Sequence, residues 1–182
     1  MANKTFRKLL LRSVVGIVTL AMLFTATACK NKNKNAESAT LPSEEPQPTV
    51  LKVEDIAAKA GDKNVAVTVS VTGNPGILGM DFDVYYDDSV AVLTDARSEL
   101  DVPGHSYTAP AYFRNPTTFL WDFEDGNWNA DETILTLFFD IAENAEPGAY
   151  EVKLMYSYGN IFDNNGDPIN VDVTNAVITV LE

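Results

Sequence analysis

Apolar residues fall at every second position in several stretches of this chain. The spacing is clearest at residues 65–71, 80–86, 135–141 and 152–156, where Val, Leu, Ile, Met, Phe and Tyr alternate with other residues, many of them small or polar. A period of two places one row of side chains on each face of a β-strand. Strands with one apolar face are typical of antiparallel sheets packed against each other. The pattern therefore predicts an all-β protein, an antiparallel β-sandwich.

Turn-forming sequences separate these stretches. Gly, Pro, Asn and Asp cluster at residues 73–76, 146–148 and 164–167, among others. Several short strands with such turns between them indicate a sandwich or a jelly roll. Residues 97–116 lack a clear pattern and are expected to hold a short edge strand and a long loop.

The N-terminus predicts export. A basic segment with four Lys or Arg residues precedes a mostly apolar run at residues 14–24, and Ala26-Thr27-Ala28-Cys29 follows. The run is shorter than a membrane-spanning helix needs, and small residues before a cleavage point mark a signal peptide. The small residues followed by Cys resemble a bacterial lipobox, which implies a lipoprotein signal peptide at residues 1–28 and lipidation of Cys29. An uncleaved anchor, or cleavage that leaves a free thiol, is the alternative.

A polar tether follows the predicted signal peptide, and the mature chain is strongly acidic. Residues 29–50 are rich in Lys, Asn, Glu, Ser and Pro, so they are expected to stay disordered.

After removal of the signal peptide, 9 Lys and Arg residues stand against 26 Asp and Glu residues, a net charge of −17. This charge disfavours nucleic acid as a partner, since phosphate binding needs a basic surface. Residues 51–182 are predicted to form one domain.

Candidate catalytic and metal-binding residues are few. His105 is the single histidine and lies in a loop-like segment without a nucleophile motif nearby, so a surface histidine is expected. Pairs of carboxylates that a hydrolase would need are present, but an acidic chain produces them by chance. Asp163, Asn165 and Asp167 resemble the start of a calcium loop. Thr174 stands where such a loop would carry Glu, so a β-turn is favoured over weak calcium binding.

The segment Phe119-Leu120-Trp121-Asp122-Phe123 places three aromatic residues on one face. They either belong to the core or lie exposed as anchors for a protein partner. A third interpretation is a platform on which sugar rings stack.

Residues from Val53 to the C-terminus resemble a cohesin domain, the module with which bacterial scaffoldins bind dockerins. Ala60-Gly61-Asp62 and the valines of 65–69 resemble the opening strand of that family. Residues 76–87 resemble its aromatic strand ending in Tyr-Asp, and 145–150 and 163–180 resemble its later turn and closing strands. The resemblance implies a jelly roll of about nine strands without a catalytic site, in which one sheet face binds a small calcium-loaded dockerin.

The resemblance also implies a partner-binding face. Its expected residues come from three segments of the chain: Gly79, Asp81, Asp83 and Tyr85; Phe119, Trp121, Phe123 and Glu124; and Ile134, Thr136 and Phe138. Asp122 falls where similar cohesins have an apolar core residue, which implies either a β-bulge or a one-residue shift of register.

The sequence thus predicts a non-catalytic, monomeric adaptor lipid-anchored to the membrane at the bacterial cell surface. It would hold dockerin-bearing proteins, such as polysaccharide-degrading enzymes or scaffoldins. No cofactor is expected in the chain itself, and calcium is expected on the dockerin. The alternatives are a carbohydrate-binding surface lipoprotein that uses an exposed aromatic row, and a small hydrolase.

Overall fold

A computed structural model describes residues 47–124 and 128–182 of the chain. The predicted signal peptide, Cys29 and most of the tether lie outside the described residues. The described part is all strand and loop, with no helix that could span a membrane.

Twelve strands form two sheets. In chain order they are β1 (Thr49–Val53), β2 (Ile56–Lys59), β3 (Val65–Thr72), β4 (Ile77–Tyr85), β5 (Ala91–Ser98), β6 (His105–Thr108), β7 (Thr117–Phe123), β8 (Glu132–Ile141), β9 (Gly148–Met155), β10 (Ile161–Asp163), β11 (Val171–Thr174) and β12 (Ala176–Leu181). The first sheet has the order β11-β1-β3-β8-β5, and the second has the order β2-β12-β9-β4-β7-β6, with β10 paired to β4.

The first and the last strand of the sandwich each change sheets, which explains two parallel pairings and two of the three strands beyond the nine expected; the third is β10. The strand is interrupted at Glu54-Asp55 between β1 and β2, and at Asn175 between β11 and β12. As a result β1 pairs in parallel with β11 in one sheet, and β2 pairs in parallel with β12 in the other. Asp55 fixes this crossing, since its carboxylate accepts a hydrogen bond from the Val177 amide at 2.7 Å. The predicted jelly-roll sandwich is confirmed, with mixed sheets and more strands than the nine expected.

The core lies between the two sheets and is built from the predicted alternating rows. The fully buried residues include Val67, Val69 and Val71 of β3, Leu135, Leu137 and Phe139 of β8, and Phe82 and Val84 of β4. Burial of such rows is the main favourable contribution to folding. β1 begins at Thr49, so residues 49 and 50, which the sequence pattern assigned to the tether, belong to the first sheet.

The stretch between β5 and β7 holds the short edge strand β6, as expected. His105 opens β6, so it lies in an edge strand and not in a loop. Its ring is half-buried, stacks on Phe123 with 6.2 Å between ring centroids, and contacts the Val102 carbonyl through Nδ1.

Candidate functional site

The aromatic row of β7 is part of the core. Phe119 and Trp121 have no exposed surface, and Phe123 is 4% exposed. Trp121 stacks on Phe82 at 5.4 Å between centroids, and its indole Nε1 donates a hydrogen bond to Ser98 Oγ at 3.2 Å. The predicted exposure of Phe119, Trp121 and Phe123 is therefore wrong, and these three side chains cannot contact a partner.

The error is a one-residue shift of register. β7 pairs with β4 without a bulge, with Met80 opposite Trp121 and Phe82 opposite Phe119. The outward row of β7 is Thr118, Leu120 and Asp122. Since an unpaired carboxylate is costly to bury, Asp122 takes the solvent side and the aromatic residues take the core.

The predicted contribution of β8 is also wrong. β8 belongs to the first sheet, where it pairs with β3 and β5, and so it cannot flank β7. Ile134 and Thr136 are buried. Phe138 is half-buried, and the Arg97 guanidinium lies over its ring at 4.8 Å from the centroid.

The predicted contribution of Gly79 is wrong as well, because Phe162 of β10 covers it. Phe162 of β10 stands opposite Gly79 of β4, and a Cβ atom on Gly79 would lie 2.3 Å from Phe162 Cζ. The missing side chain makes room for the Phe162 ring, so Gly79 is unavailable to a partner.

What the structure brings together is an open surface on the second sheet, which we call the acidic face. It consists of Asp81, Asp83 and Tyr85 of β4, Thr118, Leu120 and Asp122 of β7, Met155 of β9, and Ser106 and Thr108 of β6. In the strand register Asp81 stands beside Leu120, Asp83 beside both Thr118 and Met155, and Ser106 beside Asp122. Two of the carboxylates therefore stand beside an apolar side chain, Asp81 beside Leu120 and Asp83 beside Met155.

Two of the carboxylates are held in place. Asn160 donates a side-chain hydrogen bond to Asp81 Oδ1, and the Asn160 carbonyl accepts one from the Asp81 amide at 3.1 Å. Thr118 Oγ1 donates to Asp83 Oδ1 at 2.5 Å. An ionised carboxylate offers about four acceptor sites, so each retains capacity for donors of a partner. Contacts within the chain thus fix the positions of both carboxylates.

Glu124 lies just past the end of β7. It is exposed, and its amide donates to the Gly104 carbonyl at 2.8 Å. Its role in partner binding stays a prediction, and the outward row that it follows is Thr118, Leu120 and Asp122.

The motif at residues 163–167 forms a turn, as favoured. Asp163 Oδ1 accepts hydrogen bonds from the amides of Asn165 at 2.8 Å and Asp167 at 2.9 Å. These bonds hold the pKa of Asp163 below its usual range. In the described residues no three His, Cys, Asp or Glu side chains are arranged to hold a metal ion.

Sequence reasoning missed Ser106, Thr108, Thr118, Leu120, Asp122, Met155 and Asn160. For β7 the alternation itself was visible, and the charge of Asp122 was the signal that its row faces solvent. Asn160 carried no local signal, because its contact with Asp81 joins residues 79 positions apart.

Fold and surface together define a jelly-roll sandwich module with one open, acidic sheet face. A family model of the cohesin domain matches residues 49–180. The chain belongs to the cohesin family. A search of curated protein sequences finds no significant match.

Solved cohesin structures have the same fold. A type I cohesin–dockerin complex from Clostridium thermocellum matches at 19% identity with a TM-score of 0.63, covering 74% of this chain and 100% of that chain. The solution structure of a cohesin from Clostridium acetobutylicum matches at 20% identity and 0.63, covering 75% and 92%. A non-cellulosomal cohesin from the archaeon Archaeoglobus fulgidus matches at 12% identity and 0.63, covering 75% and 93%.

Proposed function

We propose that this chain is a non-catalytic adaptor that binds dockerin modules through the acidic face. Membership of the cohesin family supports the class of partner, and a solved relative is a cohesin–dockerin complex. The observation that carries the choice of face is the open row Asp81, Asp83, Leu120 and Asp122 on two adjacent strands of the second sheet.

The chemistry of the face predicts the chemistry of the partner. Leu120 is half-buried and Met155 is 50% exposed, and both give apolar surface for a helix to cover. The surrounding carboxylates of Asp81, Asp83 and Asp122 select Lys or Arg at the rim of the partner, and like charges there are rejected. A calcium-loaded dockerin with basic residues on its helices meets both requirements.

Membrane anchoring is the second part of the proposal. Cleavage before Cys29 and lipidation of its thiol would place the module outside the cytoplasm on a polar tether of about twenty residues, long enough to hold cargo clear of the surface. The cargo would be dockerin-bearing polysaccharide-degrading enzymes or scaffoldins. Substitution Cys29→Ser should move the protein from the membrane fraction to the soluble fraction, and unchanged fractionation would contradict the anchor.

The carbohydrate-binding alternative loses the feature on which it rested. Its sugar platform was the row Phe119, Trp121 and Phe123, and that row is buried between the sheets.

Titration calorimetry against a panel of dockerins tests the proposal. We expect tight binding in calcium and none in EDTA, because a metal-stabilised module loses its fold with its ion. Asp81→Ala and Leu120→Asp should each weaken binding by about tenfold or more. The control Lys52→Ala changes an exposed side chain of the first sheet and should leave binding unchanged. Binding that survives both face variants would reject this face.

A further inference from the structure

Strands β4 and β9 are paired over only part of their length. Residues Asp83, Val84 and Tyr85 face Met155, Leu154 and Lys153, and no further pairs follow. Beyond that point β9 continues to Gly148 with β12 along its other edge. Within the described residues, the edge of β9 toward β4 has no strand partner from Gly148 to Val152.

The backbone groups on that edge can be assigned. The Leu154 amide points away from β4, since it donates to Asn175 Oδ1 at 3.1 Å on the β12 side. Backbone groups alternate in direction along a strand, so those of Ala149 and Glu151 point toward β4. An unpaired row of N–H and C=O groups is a template for one more strand.

A groove of 490 Å³ runs along this edge. Tyr85, Tyr86 and Asp87 line one side, and Ala149, Glu151 and Lys153 line the other. Tyr86 is fixed by an edge-to-face contact with Phe139 at 5.2 Å between centroids. Tyr150, which also lines the groove, is fixed by a hydrogen bond from its hydroxyl to the Glu146 carbonyl at 2.9 Å. The groove is therefore preformed.

The groove is lined by two carboxylates and one ammonium group, a net charge of −1 that favours a basic occupant. Asp87 and Glu151 contribute carboxylates, and the one ammonium group, Lys153 Nζ, lies 3.6 Å from Glu151 Oε2. Asn175 Nδ2 also donates to Glu151 Oε1 at 3.0 Å, which keeps this carboxylate at the groove.

We propose that this groove takes an extended peptide segment carrying Lys or Arg, added as a strand to the free edge of β9. The segment would form backbone hydrogen bonds with Ala149 and Glu151, which is a known mode of peptide recognition. The assignment of the segment rests on the proposed function. Tyr85 and Met155 belong both to the groove and to the acidic face. A partner bound on that face would bring the residues that flank its dockerin module next to the groove, and we assign the segment to those flanking residues.

A peptide titration followed by nuclear magnetic resonance tests the groove without any dockerin. The probe is an acetylated peptide of alternating valine and lysine, added to millimolar concentration. We expect the amide resonances of Ala149 and Glu151 to shift and their hydrogen exchange to slow. No change at these two amides would overturn the proposal.

Two variants at one position isolate the backbone contact. Ala149→Pro removes the N–H that faces the groove and leaves the β12 pairing intact, and Pro is tolerated at such an edge. It should weaken peptide binding by about tenfold, the loss of roughly one hydrogen bond. Ala149→Val keeps the N–H and should bind as the wild type does. If Ala149→Pro fails to fold, Glu151→Gln serves in its place, because it removes a negative charge and should weaken binding of the basic peptide. Binding by the folded variant that equals binding by the wild type would overturn the proposal.

A second comparison assigns the segment to its source. A dockerin made with its flanking residues should protect the Ala149 and Glu151 amides from exchange, and the bare module should not. Equal protection by both forms would overturn the assignment to the flanking chain. Failure of every dockerin to bind would reject the proposed function alone, because the peptide titration decides the groove separately.

Discussion

Trp121 of β7 stacks on Phe82 of β4, with an interplanar angle of 28°. Phe119 and Tyr107 pack around the same indole at 6.5 Å and 5.1 Å between ring centroids. This aromatic cluster lies directly behind the acidic face, so it supports that face and takes no part in contact with a partner. The arrangement gives the two rows of one strand different positions, since the inner row packs in the core and the outer row lies on the acidic face.

Trp121→Ala should destabilise the protein by about 3–5 kcal/mol, because it leaves a large cavity in a close-packed core. Leu120→Ala, one position along on the outer row, should cost about 1 kcal/mol or less. Urea unfolding followed by circular dichroism measures both. Both tryptophans are buried, so the native emission should be blue-shifted and poorly quenched by acrylamide. Ready quenching would contradict this placement.

Gly79→Ala should destabilise the protein by about 1–3 kcal/mol, since the new methyl group overlaps the Phe162 ring. The double variant Gly79→Ala with Phe162→Ala provides the control. Removal of the ring should abolish most of the penalty of the added methyl group, and a double-mutant cycle by urea unfolding measures this coupling. Additive effects would contradict the contact.

Tyr107→Phe should leave stability unchanged or raise it by up to about 1 kcal/mol. The Tyr107 hydroxyl is buried without a hydrogen-bond partner among the described residues. Burial also raises the pKa of this phenol. Tyr150→Phe is the matched comparison, because that hydroxyl donates to Glu146 and its removal should be destabilising. Thermal unfolding of both variants measures these changes, and a Tyr107→Phe variant less stable than the wild type would contradict the prediction.

Acid should remove stability that Asp131 and Asp163 contribute at neutral pH. Backbone amides, first that of Asn74 at Asp131 (3.0 Å) and that of Asp167 at Asp163, hold the pKa of both carboxyl groups below the ordinary value of 3.8. The unfolded chain therefore takes up protons first as the pH falls. The stability is fully present above the unfolded pKa, and it is lost as the pH falls from there through the lower folded pKa. The free energy of unfolding of Asp131→Asn and Asp163→Asn, measured against pH, should fall less steeply than that of the wild type. Curves parallel to the wild type would contradict the linkage.

Much of the fold could be predicted from local pattern. The buried rows of β3 and β8 stand where the alternation placed them, as with Val67 and Leu137. The site was harder, because alternation divides β7 into two rows without saying which one is inside. The resemblance favoured the aromatic row as exposed, and a single shift of register placed all three aromatics on the wrong face.

The sequence by itself determined that the chain forms short, one-sided strands and that its surface is acidic, since both properties are local or additive. Only the tertiary structure decided that β8 lies in the opposite sheet from β7, that Phe162 covers Gly79, and that Asn160 holds Asp81. The physical reason is that strand partners are chosen by contacts between residues far apart in the chain. The depth of each side chain follows from that pairing and from the cost of burying charge.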